Sequence, residues 1–263
     1  MTLIVGIQCR DGVVVGADGA ATLGALGTRT VRQPVKKLTI IDGRVIVGVS
    51  GPVGLEQRYV HEVETLWSGK KLSGKKPVEA MTVIRDALWT HAEKELKAAS
   101  VAAQVLGPQL AAQSALAFAL VAYPAAKEPC LIQFSEQCCP ELATPNLPFV
   151  AIGIGQPIAD PFLAFLRDLF WRGRLPSVKD GIFATLWTLR HAIATNPGGV
   201  ADPIQIAALE KSGGDWGAKI LEEAELQEHD VAIAAAKGRL ASFPEALHKH
   251  TEGIEPPPKP PRQ

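Results

Sequence analysis

The chemistry in this chain starts at Thr2, which follows Met1 directly and opens the apolar run Leu3-Ile4-Val5-Gly6-Ile7. A small residue at the second position lets the initiator methionine be removed. The mature chain is then expected to begin with a threonine that carries both a hydroxyl and a free α-amine. That pair is a nucleophile with its own base attached. An α-amine has an unperturbed pKa of about 7.7–8.0, so a useful fraction is unprotonated near neutral pH.

The elements that would position Thr2 are short strands joined by tight turns. Thr2 to Gln8 reads as a strand, and Asp11-Gly12 is a strong turn signal. Val13-Val14-Val15-Gly16-Ala17-Asp18 reads as a second strand that ends in an acid. A loop rich in Gly, Ala and Thr follows over residues 21–28. Then come Val35-Lys36-Lys37-Leu38-Thr39-Ile40-Ile41, a turn at Asp42-Gly43, and Val45-Ile46-Val47-Gly48-Val49-Ser50-Gly51. The result is a series of hairpins with an acid at one strand end and a lysine at the next strand start.

Residues 2 to about 55 resemble a proteasome β-type subunit, of the N-terminal-nucleophile hydrolases. They are most similar to the bacterial members: the peptidase subunit of the two-component heat-shock protease and the bacterial proteasome homologues. Beyond that stretch the resemblance is topological. It implies a role for each matching residue. Thr2 matches the nucleophile, Asp18 the acid that holds a lysine, and Lys37 the lysine beside the nucleophile. Gly51 matches the backbone N–H that receives the developing oxyanion. The spacing to Gly51 favours Lys37, and Lys36 remains the alternative. The resemblance also makes Ala21, Val35, Val49 and Val53 the lining of the specificity pocket. All four are small and apolar, so an apolar residue is expected before the cleaved bond.

Elementary physics supports these roles. A lysine ammonium beside Thr2 disfavours protonation of the α-amine, because like charges repel. The same ammonium stabilises negative charge on the hydroxyl oxygen. A buried lysine needs a counter-charge, which Asp18 can supply. A backbone N–H aimed at the tetrahedral intermediate contributes roughly 3–4 kcal/mol, by analogy with other oxyanion donors. In isolation Asp18 would be an ordinary turn cap and Lys36-Lys37 a solvated strand edge.

Later parts of the family pattern are altered. Where the family has a serine between two glycines, this chain has Gly153-Ile154-Gly155. Where the family has an aspartate and a serine before a Gly-Gly pair, this chain has Thr195-Asn196-Pro197-Gly198-Gly199. Thr195 or Asn196 could serve as substitute hydrogen-bond donors.

Composition narrows the class. The 27 basic and 27 acidic side chains cancel, which argues against a nucleic-acid partner, since that needs a basic face. No run of 18 apolar residues and no basic leader are seen, so no membrane partner and a cytoplasmic location are expected. Cys9, Cys130, Cys138 and Cys139 lack zinc-ligand spacing and read as reduced, mostly buried thiols. Neither a metal nor an organic cofactor is expected.

Further along, 55–67 and 77–96 read as helices, with Met81, Ile84 and Leu88 on one face of the second. Strands are predicted over 115–122, 130–134 and 149–152. Phe162 to Trp171 reads as a helix apolar on several sides and therefore buried. Ser177 with Asp180 marks a helix start, and that helix runs to about Ala194. Strands over 203–209 and 216–220 complete the body. Two packed sheets covered by helices would bury every stripe. The expected class is α+β, a four-layer α-β-β-α sandwich of the N-terminal-nucleophile hydrolase type.

The expected organisation is a hydrolase domain over 1–220, a helical extension over 221–250 and a flexible Pro-rich tail over 251–263. The expected function is a self-compartmentalising threonine peptidase acting on unfolded polypeptides or peptides. The resemblance adds homo-oligomeric ring subunits and an ATP-driven unfoldase as partners. A small-molecule amidase using the same nucleophile and a non-catalytic ring subunit stay open as alternatives.

Overall fold

The computed structural model describes residues 2–23, 31–113, 115–125, 128–196 and 199–243. Met1, residues 24–28 of the Gly/Ala/Thr loop, the Pro197-Gly198 step and the 251–263 tail lie outside the described residues.

Among the described residues, twelve strands and six helices follow in the order β1 (Leu3–Gln8), β2 (Gly12–Ala17), β3 (Ala20–Leu23), β4 (Val31–Pro34), β5 (Leu38–Ile41), β6 (Val45–Ser50), α1 (Val53–Ser68), α2 (Pro77–Leu106), α3 (Pro108–Gln113), β7 (Phe118–Pro124), β8 (Pro129–Phe134), β9 (Pro140–Leu142), β10 (Phe149–Gly153), α4 (Gln156–Leu166), α5 (Val178–Thr195), β11 (Gln205–Ser212), β12 (Asp215–Ile220) and α6 (Glu223–Ala241). A π-helical turn, Arg167–Trp171, extends α4. One five-stranded antiparallel sheet has the order β10-β1-β2-β11-β12, and the other has the order β5-β6-β7-β8-β9. β3 and β4 form a separate hairpin.

Alternation along the strands explains the layers. In β2, Val13, Val15 and Ala17 face the other sheet, and Val14 faces the helices. In β6, Ile46 faces the first sheet, while Val45, Val47 and Val49 face α1 and α2. These central strands are buried on both faces, so they carry continuous apolar runs rather than apolar–polar alternation. One core lies between the sheets, around Ile4, Val15, Ile46, Leu120 and Leu209. A second joins α1 and α2 to one sheet through Leu55, Tyr59, Ile84 and Leu88. A third joins α4, α5 and α6 to the other through Leu163, Leu186, Leu189 and Ile233. Three cores between four layers make the α-β-β-α sandwich.

Several boundaries differ from the sequence expectation. α2 continues ten residues past Leu96, because residues 97–106 are rich in Ala and other good helix formers. A Glu93–Lys97 pair at 2.7 Å supports that continuation, and Gly107 at φ +81 ends the helix. Residues 108–113 form helix α3, and the following strand starts only at Phe118. The helix predicted from Phe162 begins at Gln156, and its aromatic face is not fully covered: Phe165 and Phe170 are half exposed. The Ser177 start is a complete capping box. The Ser177 hydroxyl accepts from the Asp180 N–H at 3.2 Å, and the Asp180 carboxylate accepts from the Ser177 N–H at 3.1 Å. α6 lies against α5, with Leu226, His229 and Ile233 buried and ion pairs Lys179–Glu228 and Arg190–Asp230 at its edges.

Candidate active site

Asp18 terminates β2 and is fully buried. Its Oδ1 accepts from the Leu3 N–H at 2.8 Å and from Lys37 Nζ at 2.6 Å. Its Oδ2 accepts from the N–H groups of Ala20 at 3.3 Å and Ala201 at 3.2 Å. One carboxylate thus ties together the start of β1, the end of β2, the segment entering β5 and the loop entering β11. Backbone donors and an ammonium together offset the cost of burying the charge.

Lys37 is buried, whereas the neighbouring Lys36 is exposed. Of the two lysines, Lys37 is the one that reaches Asp18.

Thr2 stands at the head of β1, where the ends of three strands converge. The Leu3 carbonyl accepts from the Asp18 N–H at 3.1 Å, which fixes the chain immediately after Thr2. On the other side, Leu3 pairs with Gly153 of β10. Gly153 sits at φ +94, a conformation that other residues rarely adopt. A Cβ there would lie 2.2 Å from the Thr2 carbonyl oxygen and 2.9 Å from Ser50 Oγ. Only glycine lets β10 approach the Thr2 backbone and the Ser50 side chain so closely. Gly51 has a different constraint. A Cβ at 51 would meet Ala117 Cβ at 2.6 Å and the Leu116 carbonyl oxygen at 2.9 Å.

A cavity of about 300 Å³ opens here, lined by Thr2, Ala21, Val35, Lys36, Lys37, Val49, Gly51, Val53, Glu56 and Gln57. The structure therefore brings together Thr2, Lys37, Gly51 and the four small apolar residues expected around a specificity pocket, with Asp18 buried directly behind Lys37. It also corrects the expectation of a pocket without a fitting charge. Glu56, in the first turn of α1, joins the lining. Burial pushes the Glu56 carboxyl up to about 7, and the nearby Lys37 ammonium partly opposes that shift. An acid in the first turn of a helix is an ordinary sequence feature. Its direction became visible only once α1 was seen to start at Val53, right after the Gly51 turn.

The altered positions of the family pattern lie as follows. Ile154 is half exposed to solvent. The Thr195 hydroxyl donates to the His191 carbonyl of its own helix at 2.8 Å, so it is not the substitute donor that the sequence suggested. The Asn196 side chain lies over Gly199. Burial raises the thiol pKa of Cys9, Cys130 and Cys138, which keeps them protonated and unreactive near neutral pH. Among the described residues no group of three or more His, Cys, Asp or Glu is placed to hold a metal ion, and no helix is long and apolar enough to cross a membrane.

The family model described as "Proteasome subunit" matches residues 2–94, from β1 into α2, which takes in every residue that lines the Thr2 cavity. Among solved structures, Anbu from Hyphomicrobium sp. strain MC1 is similar, with a TM-score of 0.60 and 17% identity. The similarity covers 98% of this chain and 100% of that one. A second similar structure is the helical assembly of the Anbu complex from Pseudomonas aeruginosa, with a TM-score of 0.62, 16% identity and 98% of each chain covered. No curated protein matches the chain. At these identities the likeness is one of fold. The chain has the proteasome-type fold over nearly its full length, including the segments after residue 94.

Proposed function

We propose that this chain is a threonine peptidase of the proteasome type, acting from a self-compartmentalising homo-oligomer. The observation that carries this reading is the single cavity shared by Thr2, Lys37 and Gly51, with Lys37 clamped from behind by buried Asp18. With Met1 removed, the Thr2 hydroxyl attacks a peptide carbonyl and its proton passes to the α-amine. The Lys37 ammonium lowers the proton affinity of that amine and stabilises the developing alkoxide. The Gly51 N–H receives the oxyanion. Collapse of the tetrahedral intermediate expels the amine product, which takes the proton from the α-amine. Water then hydrolyses the ester left on Thr2 and regenerates the free hydroxyl. No cofactor is required by these steps.

The half-exposed aromatic residues on α4 and its π-helical turn support assembly, because such a face is suited to burial against another subunit. The assembled state of the Pseudomonas aeruginosa Anbu complex points the same way. Unfolded polypeptides are the proposed substrates, and an ATP-driven unfoldase is a proposed further partner.

The test combines intact mass with an electrophilic probe for N-terminal threonine. Loss of Met1 and a single adduct on Thr2 are expected. A retained Met1 would remove the base and overturn the reading. Exposed Ile154 and the inward-bonded Thr195 hydroxyl favour a second reading, a ring subunit without activity. Processed but unlabelled protein would support it.

A further inference from the structure

Residues 35–37 carry Lys37 into the cavity and form one of its walls, yet they belong to no strand. They lie between the end of β4 and the start of β5. The Val35 N–H donates to the Gly19 carbonyl at 2.8 Å. Two further backbone groups of the segment are held by one side chain from elsewhere. Gln205 Nε2 donates to the Val35 carbonyl at 2.6 Å, and Gln205 Oε1 accepts from the Lys37 N–H at 3.1 Å. A side-chain amide can both donate and accept, so it reproduces what a neighbouring strand would offer.

The position of Gln205 explains how it reaches this segment. It opens β11 and pairs with Ala17, the residue just before Asp18. Alternation sets Gln205 on the same face as Ala207 and Leu209, which pack between the two sheets. Gln205 is thus a polar residue at the end of an apolar row. Neighbouring positions of one strand pair then hold Lys37 at two points: Asp18 takes its ammonium and Gln205 takes its backbone.

We propose that Gln205 is a positioning residue of the site, setting both the reach of Lys37 toward Thr2 and the Val35 wall of the cavity. This role rests on the reading of Thr2 as nucleophile and Lys37 as its cation. Without the clamp, the 35–37 segment can slide while the ion pair persists. Lys37 would then stand further from the α-amine, and that amine would protonate more readily.

The test uses two variants of the full chain. Gln205→Met keeps the length and removes both hydrogen bonds. Its kcat on a short peptide substrate is expected to fall about ten-fold, with KM changed less than about three-fold. The acid limb of its pH profile is expected to move to higher pH. Gln205→Glu supplies the control for a merely structural role. A protonated carboxyl donates and accepts as the amide does, whereas an ionised one is repelled by the Val35 carbonyl. Activity of Gln205→Glu relative to the parent chain should therefore climb as the pH falls toward the ordinary glutamate range, from about 7 to about 5, while the ratio for Gln205→Met does not. Equal, flat ratios for both variants, or a loss that follows only the folded fraction, would overturn the proposal.

A second readout does not depend on peptidase activity. Reductive methylation followed by peptide mass spectrometry reports how accessible each lysine is. In Gln205→Met, Lys37 should react several-fold faster, with exposed Lys211 unchanged. If the parent chain neither turns over substrate nor labels at Thr2, the peptidase reading fails while this measurement still decides the clamp. Unchanged protection of Lys37 would end the proposal.

Discussion

The Lys37 ammonium and the Asp18 carboxylate lie 2.6 Å apart, with side-chain exposures of 6% and 0%. Their contact separates the two adjacent lysines: Lys36 is left in solvent. Removing one member of a buried pair strands the other charge, at a cost of about 3–5 kcal/mol. Lys37→Ala is therefore expected to lower stability markedly in chemical denaturation and to abolish Thr2 labelling. Lys36→Ala should be nearly silent in stability and retain activity. Dead Lys36→Ala beside active Lys37→Ala would move the role to the other lysine.

The nucleophile gives the second prediction. Thr2→Ala should reduce amide hydrolysis by about a thousand-fold or more, since the covalent step disappears. The change removes only a hydroxyl and a methyl at a partly exposed strand end, so the melting temperature should stay close to that of the parent. Turnover that persists undiminished in this variant would show that the chemistry lies elsewhere.

Much of this site was legible in the sequence, for a local reason. Asp18, Lys37 and Gly51 flank the β1–β2 and β5–β6 hairpins, and the Asp-Gly turns that define those hairpins are short-range signals. The apolar lining residues were implied by the family resemblance over the same stretch. Glu56 and Gln205 were not legible. Glu56 lies near the start of the helix predicted over 55–67, and nothing local reveals which way that helix faces. Gln205 falls inside the strand predicted over 203–209 with nothing local to single it out, and its two partners are 168 and 170 residues away. In the fold, the continuation of α2 was missed because residues 97–106 lack a clear apolar stripe. β9 has three residues, too few for a periodic signal.

Gly153 provides a third prediction. Its φ of +94 and the overlap that a Cβ would make with the Thr2 carbonyl oxygen leave no room for a side chain. Gly153→Ala combines backbone strain of about 1–3 kcal/mol with a contact that only backbone movement relieves. Thr2 should shift, and labelling should fall more than stability does. Unchanged labelling kinetics would mean that Thr2 is not held through this strand junction.

Glu56 makes the cavity sensitive to pH. Its carboxyl titrates at about 7 in the fold against an ordinary value of 4.5, chiefly because burial disfavours the charge. Between those values the folded state binds the proton and the unfolded state does not, so this group makes stability fall as the pH rises. The loss is absent below about 4.5 and complete above about 7. Glu56→Gln should therefore melt at a higher temperature than the parent at pH 8 and show no such advantage at pH 4. The charge that acts on it is the Lys37 ammonium of the 35–37 segment. Below pH 7 the neutral carboxyl should favour cleavage after apolar residues, and above pH 7 cleavage after Lys or Arg should gain. A residue preference independent of pH in the parent chain would place Glu56 outside the contact with substrate.

Assembly gives the last prediction, from the outer face of α4 and α5. Phe162, Phe170, Phe183 and Trp187 form a connected set of aromatic contacts, with centroids 5.4 to 6.2 Å apart. Trp187 is buried in that set, yet Phe165 remains 50% exposed and Phe170 46%. Burial of these two rings against a neighbour would remove apolar area from water at roughly 25 cal/mol per Å². The parent chain should therefore sediment well above its 28.0 kDa monomer mass at micromolar concentration. Phe165→Asp combined with Phe170→Asp should shift it toward the monomer without unfolding it, because both side chains already face solvent within the subunit. A parent chain that sediments as a monomer would defeat the chamber and promote the small-molecule amidase, which needs only the open cavity at Thr2.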